Sequence, residues 1–521
     1  MRSLLFRCPA LAALLALLPL APPLTAGYPS WRHAVQLSVV TTTSPAAISL
    51  SWVDDPAVGA NGYRPTYSLA RRRPGEAWPE PTSLGRDLQY TDRNVQPGIV
   101  YEYRVLRDFR DPTEPPAGFT ASGYVWAGIN VPAPAQRGKV ILVIEQSAAA
   151  ALAARIDQLK ADLAADRWTV AQLIVNREAS PAHVRDAIRR EHQAGPGHSL
   201  YLLGAVPVAK SGRYAPDYHE KRPMPTDAYY GDVDGVWPDA DNDGVFDLDA
   251  LPSDVDLAVG RVDFRGLAET TPGLSEHDLL ARYLDKVHAF RTGATRFEAA
   301  GVISDRVGVD YGRVPAAGAF RGFAALYGPE NITVADAEDN ADSAQRWLSH
   351  LQKRRYGWAF VAGGGSFDFL SYAGHEGQYH GVSSATMAKD STAAFYLMFG
   401  SYLVEWDRSR SILRAALASP NGGFGAAWSG RPNFIIHPMA LGATIGECVR
   451  LTQNNDGVSY LSPINAFQRG VHINWMGDPT LRLSYQELPV TTPSTPATGI
   501  RLDLPLRITP RAEHPGPRPR R

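Results

Sequence analysis

Residues 357–407 read GWAFVAGGGSFDFLSYAGHEGQYHGVSSATMAKDSTAAFYLMFGSYLVEWD, a pattern of strand, loop, helix, strand and loop. Trp358 to Val361 is an apolar strand that runs into Gly363, Gly364 and Gly365. A second apolar strand, Ala393 to Phe399, ends at Gly400 and Ser401. Between them His375 stands between glycines, in Gly374-His375-Glu376-Gly377. Glycines let a backbone approach a substrate closely, and loops on a rigid sheet carry chemistry. His375 is therefore either a general base or the polar tip of a surface turn.

Upstream, strand and helix alternate from Lys139 onward. Val140 to Ile144 is a buried strand, and Leu152, Ile156, Leu159 and Leu163 mark one face of a helix. Val170 to Val175 and Leu200 to Leu203 are further strands, with a Ser180-Pro181 helix start between them. The pattern resumes at Leu257 to Val262, in a helix opened by Ser275 with Asp278 as its capping acid, and in a strand at Gly301 to Asp305. Downstream of Ser401 come a helix over Ile412 to Leu417, a strand over Phe424 to Trp428, and an apolar helix holding Met439, Leu441 and Ile445. Continuous apolar strands separated by helices predict a mostly parallel sheet covered on both faces.

Residues 34–131 differ. Ala47 to Trp52 and Tyr67 to Ala70 alternate, and Pro97-Gly98 leads into Ile99 to Val105 as turn followed by strand. Short alternating strands with turn signals predict an all-β sandwich. With its early Ser51-Trp52 and its PGIVYEYRV run, the segment resembles a fibronectin type III domain. The resemblance makes Tyr101 a corner tyrosine and Trp52 the core tryptophan, both structural. Pro132 to Arg137 is a linker.

Asp239-Ala240-Asp241-Asn242-Asp243-Gly244-Val245-Phe246-Asp247 is the strongest chemical signal. Carboxylates at positions one, three and five can converge on one ion, Gly244 permits the turn, Val245 offers a carbonyl, and Asp247 stands at position nine. Hard oxygen donors at this spacing select Ca²⁺. Position twelve is Ala250, so the loop is not a full EF-hand. Asp249, Asp254 and Asp256 are further possible ligands, and the expected role is structural.

Taken in order, these pieces resemble one family. Tyr201-Leu202-Leu203-Gly204-Ala205-Val206-Pro207 is followed by Pro225-Thr226-Asp227-Ala228-Tyr229-Tyr230-Gly231, the acidic loop, Val259-Gly260-Arg261-Val262, Gly374-His375 and Gly477-Asp478-Pro479. This series is similar to the gingipain family of secreted cysteine peptidases, which share the caspase-like α/β fold, and it covers residues 137–484. The family carries a His–Cys dyad. His375 matches its histidine, while the strand end that should bear the cysteine reads Met398-Phe399-Gly400-Ser401-Tyr402. Ser401 is the hydroxyl available there, either as a replacement nucleophile or as a helix cap. Glu376, Glu405 and Asp407 are the carboxylates available to orient His375 or bind a cationic side chain; Trp428 and His437 either line a substrate groove, as the resemblance implies, or are ordinary core and turn packing.

The ends and the overall charge place the chain. Arg2 and Arg7, the apolar run Leu11 to Leu20 and Leu24-Thr25-Ala26 make residues 1–26 a secretory signal peptide. Cys8 leaves with it, so Cys448 is the single thiol of the exported chain and no intramolecular disulfide is expected. Residues 487–521 form a Pro-, Thr- and Arg-rich tail without periodicity, expected to be flexible or partly ordered. A net charge of −1 provides no global field for nucleic acid, and no later segment reads as transmembrane. The expected location is extracellular or in the cell envelope. Three functions compete: a gingipain-type endopeptidase acting on protein or peptide through His375, with Ser401 in place of cysteine; a calcium-stabilised pseudo-peptidase that binds cell-surface protein as an adhesive module; and a calcium-dependent carbohydrate- or surface-binding protein unrelated to peptidases.

Overall fold

The computed structural model describes residues 29–55, 62–109, 118–305, 314–336, 340–371, 381–462 and 467–485. Seven strands come first: β1 (Leu37–Thr43), β2 (Ala46–Trp52), β3 (Thr66–Arg72), β4 (Thr82–Gly85), β5 (Gln89–Asp92), β6 (Val100–Asp108) and β7 (Thr120–Gly128). They form two antiparallel sheets, ordered β1-β2-β5 and β4-β3-β6-β7. Alternation drives this pairing. Inward residues such as Leu37, Ile48, Leu50, Leu69, Tyr103 and Val105 join one buried cluster that spans both sheets. Trp52 packs against Tyr67, and the Tyr101 hydroxyl accepts the Gln96 amide at 3.0 Å.

Among the described residues the larger unit is built on ten strands: β8 (Gly138–Glu145), β9 (Trp168–Val175), β10 (Ser199–Leu203), β13 (Ala258–Val262), β14 (Glu298–Ser304), β15 (Ile332–Val334), β16 (Tyr356–Ala362), β20 (Phe395–Phe399), β21 (Gly425–Trp428) and β22 (Met476–Gly477). Their order is β15-β14-β16-β20-β21-β22-β13-β10-β8-β9. Neighbours run parallel throughout except β21 and β22, so strand direction reverses once. Central strands are buried along their whole length, which is why they read as unbroken apolar runs. Two small sheets complete the set: β11 (Lys210–Ser211) with β12 (Met224–Pro225), and β17 (Gly364–Ser366), β18 (Phe369–Ser371) and β19 (Gly381–Ser383).

Several residues of the family-like series hold this frame together. Arg261, fully buried on β13, donates to the Val206 carbonyl at 2.6 Å and the Pro207 carbonyl at 3.1 Å, and pairs with Asp227 at 2.8 Å. Asp478 accepts from Arg291 at 2.8 Å, and its amide donates to the Tyr283 hydroxyl at 2.9 Å. Buried charges persist only when paired and hydrogen-bonded, and these are.

One expected helix is two. A short 3-10 turn, His437–Leu441, stops at Gly442, whose φ of +85° lies in the left-handed region. A new helix, Ile445–Asn454, starts at a Thr444–Glu447 capping box. Cys448 is buried in it, and burial pushes its thiol pKa well up. Among the described residues no helix is long and apolar enough to cross a membrane.

The β-rich unit is seated on the larger one. The Trp78 indole donates to the Ser459 carbonyl at 2.8 Å, and Arg321 donates to Ser122 Oγ at 2.9 Å. At the centre the buried Glu102 carboxylate accepts from Arg72 at 2.6 Å and from Tyr460 and His437 at 2.8 Å each.

Candidate functional site

Ser401 stands two residues beyond β20, the strand that β16 flanks in parallel. Gly400 is the spacer. A Cβ there would lie 2.4 Å from Leu370 Cδ2 and 2.7 Å from Leu403 Cδ1, so a larger residue would have to push these two leucines aside for β18 to rest against this turn. β17, β18 and β19 are thereby docked beside Ser401, held also by the Ile412 amide on the Phe367 carbonyl at 2.7 Å. Residues 372–380 connect β18 to β19 and lie outside the described residues, and His375, Glu376 and His380 are among them. The described ends of that connection belong to the sheet packed on Gly400.

Ser401 does have an imidazole partner. His219 Nε2 lies 2.8 Å from Ser401 Oγ, brought from a loop 182 positions away in sequence. With the proton on Nδ1, Nε2 accepts from the hydroxyl. The ring stacks on Tyr402 with centroids 4.8 Å apart and planes 21° apart. Tyr402 adopts φ +60°, uncommon for a non-glycine residue, and its amide donates to Asp217 Oδ2 at 2.7 Å. Asp217 thus fixes the turn rather than the imidazole. Among the described residues no carboxylate bonds His219. The Gly363 amide donates to the Phe399 carbonyl at 2.9 Å, so the sheet uses it and it does not point at an incoming carbonyl.

Glu405 is 4% exposed and faces a recess bounded by Ala215, Pro223, Met224 and Val404. Arg222 reaches it at 3.1 Å and Arg408 at 2.7 Å, contacts close in distance but bent from good hydrogen-bond geometry. Burial raises the Glu405 pKa, Arg222 lowers it, and Glu220 and Asp407 add to the rise. Asp407 is paired with Lys210 at 2.9 Å. The recess therefore carries negative potential, answered by the chain's own Arg222.

Trp428 and His437 are not brought to this recess as one wall. Trp428 ends β21 almost fully buried, with Arg431 over its ring and His472 against its edge. His437 is buried in the seam with the β-rich unit, on Glu102. Burial dominates and lowers its pKa, so it is a neutral donor there.

The acidic loop folds as its spacing predicts in part. Carboxylate oxygens of Asp239, Asp241 and Asp243 lie within 4.8 Å of one another. The turn uses Asn242 at φ +57° and Gly244 at φ +84°. Asp239 accepts the Asp243 and Gly244 amides at 3.1 and 3.0 Å. Asp247 turns instead to the Ala240 amide at 2.9 Å and stands apart from the three. Asp249 accepts the Arg213 amide and Asp254 pairs with Arg469. Asp256 joins a second group with Asp232 and Asp234. The donor set of the first group is all oxygen, which suits a hard divalent cation.

His219, Asp217 and Arg222 were not foreseen. All sit in the stretch RYAPDYHEKRP, whose density of aromatic and charged residues between two family-like segments was the available signal.

No protein-family model and no curated protein matches the chain. Among solved structures it shows slight likeness to a LacI-family transcriptional regulator from Sanguibacter keddieii, at 12% identity over 43% of this chain and 66% of that one, with a TM-score of 0.13. A 5,10-methylenetetrahydrofolate dehydrogenase from the silkworm, Bombyx mori, matches at 7% identity over 54% and 83%, with a TM-score of 0.17. A LacI-family regulator from Brachyspira murdochii matches at 12% over 64% and 92%, with a TM-score of 0.14. Scores this low carry no argument about fold or function.

Proposed function

We propose that the chain is an exported gingipain-type hydrolase in which Ser401 replaces the cysteine nucleophile, preceded by a fibronectin type III-like domain. The observation that carries this reading is the 2.8 Å contact between Ser401 Oγ and His219 Nε2 at the end of a parallel strand. General-base assistance needs such a contact, because a serine hydroxyl attacks a carbonyl only as its proton leaves. In the proposed reaction Nε2 takes that proton while Oγ bonds to the peptide carbonyl carbon. The imidazolium then protonates the departing amine, leaving an ester on Ser401. Water, deprotonated by the same ring, hydrolyses the ester and restores the hydroxyl. His375 is a second imidazole for this work, on the connection between β18 and β19. Glu405 would receive a cationic substrate side chain once Arg222 and Arg408 swing away. The Asp239–Asp241–Asp243 group would hold Ca²⁺ and stiffen its loop.

The second reading, an inactive envelope-binding module, is favoured by one observation. The His219 ring has no orienting carboxylate among the described residues, and serine chemistry usually needs one. A fluorophosphonate probe separates the two. Labelling of the exported chain that maps to Ser401, together with cleavage of a mixed peptide library that falls about 100-fold or more in His219→Ala, supports the hydrolase. Loss of cleavage in His375→Ala, with His219→Ala active, moves the base to His375. Neither labelling nor cleavage, with the protein folded, supports the binding module.

A further inference from the structure

A cavity lies at the end of the ten-stranded sheet opposite Ser401, and the proposed chemistry does not use it. Ala394 and Phe395, where β20 begins, line it, whereas Ser401 follows the other end of that strand. The five residues of β20 span about 16 Å, so the two places are separate. The cavity holds about 370 Å³, a volume typical of small-molecule sites.

Its walls are aromatic. Phe290, from the helix Glu276–Arg291, stacks on Phe424 with centroids 4.7 Å apart. Phe297 and Tyr485 meet Phe290 edge-on, at 5.7 and 5.6 Å. Each ring is therefore held by another ring in a favoured geometry.

Among the described residues two donors in the lining lack a partner. Tyr327 ends the helix Ala317–Tyr327, and its hydroxyl lies over Gly357, where a Cβ would stand 2.1 Å from it. Nothing described bonds that hydroxyl, and burial alone raises its pKa. Arg291 is 7% exposed and donates to Asp478 and to the Tyr485 hydroxyl, but its Nε has no partner. A buried donor without an acceptor is unfavourable, so the lining favours an occupant that brings one.

The charge of the lining is positive. Arg291 is answered by Asp478, and Glu298 by Arg354. Arg296 donates to the Gly293 carbonyl at 3.3 Å and pairs with no carboxylate among the described residues. An aromatic body, an acceptor and a negative charge complement these features together. We propose that the cavity binds a small aromatic carboxylic acid, its ring against Phe290, Phe297 and Tyr485, its carboxylate held by the Tyr327 hydroxyl in the positive field of Arg296. This site stands apart from Ser401 and does not rest on the hydrolase reading.

The test is a ligand-observed NMR titration of the full chain with phenylacetate. Cyclohexylacetate serves as the aliphatic acid and phenylacetamide as the uncharged aromatic. The expected result is saturable binding of phenylacetate, with both controls about tenfold weaker or more. Tyr327→Phe keeps the ring and should weaken binding about tenfold. Thr295→Trp sets an indole in the lining and should abolish it. Unfolding temperatures within about 2 °C of the unaltered chain show that the variants are folded. No saturable binding, or equal binding of the three compounds, overturns the proposal. Binding unchanged in the folded variants also overturns it, because phenylacetate then sits elsewhere.

Discussion

Glu102→Ala is expected to loosen the β-rich unit from the sheet unit. Glu102 is fully buried and accepts three donors, Arg72, Tyr460 and His437. Truncation leaves the buried Arg72 guanidinium without its carboxylate and two further donors without an acceptor. Breaking a buried pair from one side costs about 3–5 kcal/mol. Unfolding temperature moves by roughly 2 °C per kcal/mol in larger domains, so calorimetry should show a fall of about 6–10 °C. Glu102→Gln keeps an acceptor for Tyr460 and His437 but turns its amide NH2 toward the Arg72 Nε–H, a donor facing a donor, so its fall should approach that of Glu102→Ala. The double change Arg72→Met/Glu102→Leu should recover part of the loss, because it removes the orphaned charge. A Glu102→Ala protein that melts within about 2 °C of the unaltered chain, on the same scale, would refute the assignment of this cluster as the mechanical joint.

Further outcomes follow from the same physics. His472 is buried, and burial lowers its pKa to about 4, with His437 shifted the same way. Both bind protons more readily unfolded, so stability should fall as pH drops from about 6.5 toward about 4, seen as lower urea midpoints at pH 5 than at pH 7; His472→Gln should flatten that slope. Glu145 behaves oppositely to a simply buried acid: burial raises its pKa, but bonds from Ser147 and Arg177 outweigh this and hold it at about 2. Its contribution is present above the usual glutamate range and lost as pH falls toward about 2, and Glu145→Gln should remove it. If the acidic loop takes Ca²⁺, saturation at about 100 times Kd should add about 2.7 kcal/mol. Asp241→Asn/Asp243→Asn should abolish that gain while leaving the chelated protein unchanged. Arg222→Ala/Arg408→Ala should raise any cleavage after lysine or arginine relative to other residues, since together the two changes uncover Glu405; an unchanged preference would remove Glu405 from substrate recognition.

What composition and periodicity determined unaided is the local architecture. Val140 to Ile144 and Ala393 to Phe399 read as buried strands, because nothing charged interrupts them, and β8 and β20 are buried there, β8 one strand in from the edge and β20 deep in the sheet. The alternation in Ala47 to Trp52 likewise predicted a strand with one inward face. Spacing alone brought Asp239, Asp241 and Asp243 together, since a tight turn needs no distant partner. His437 shows where such reading stops: the family resemblance sets it beside Trp428 in a substrate groove, yet its partner is a carboxylate 335 positions away. Ser401 and His219 are a similar case, separated by 182 positions and brought together where the end of β20 meets the loop between β11 and β12. Local pattern decides which face of an element is apolar, because that depends on residues a few positions apart. Which elements then meet depends on burying all those faces at once, and that is settled only when the whole chain has packed.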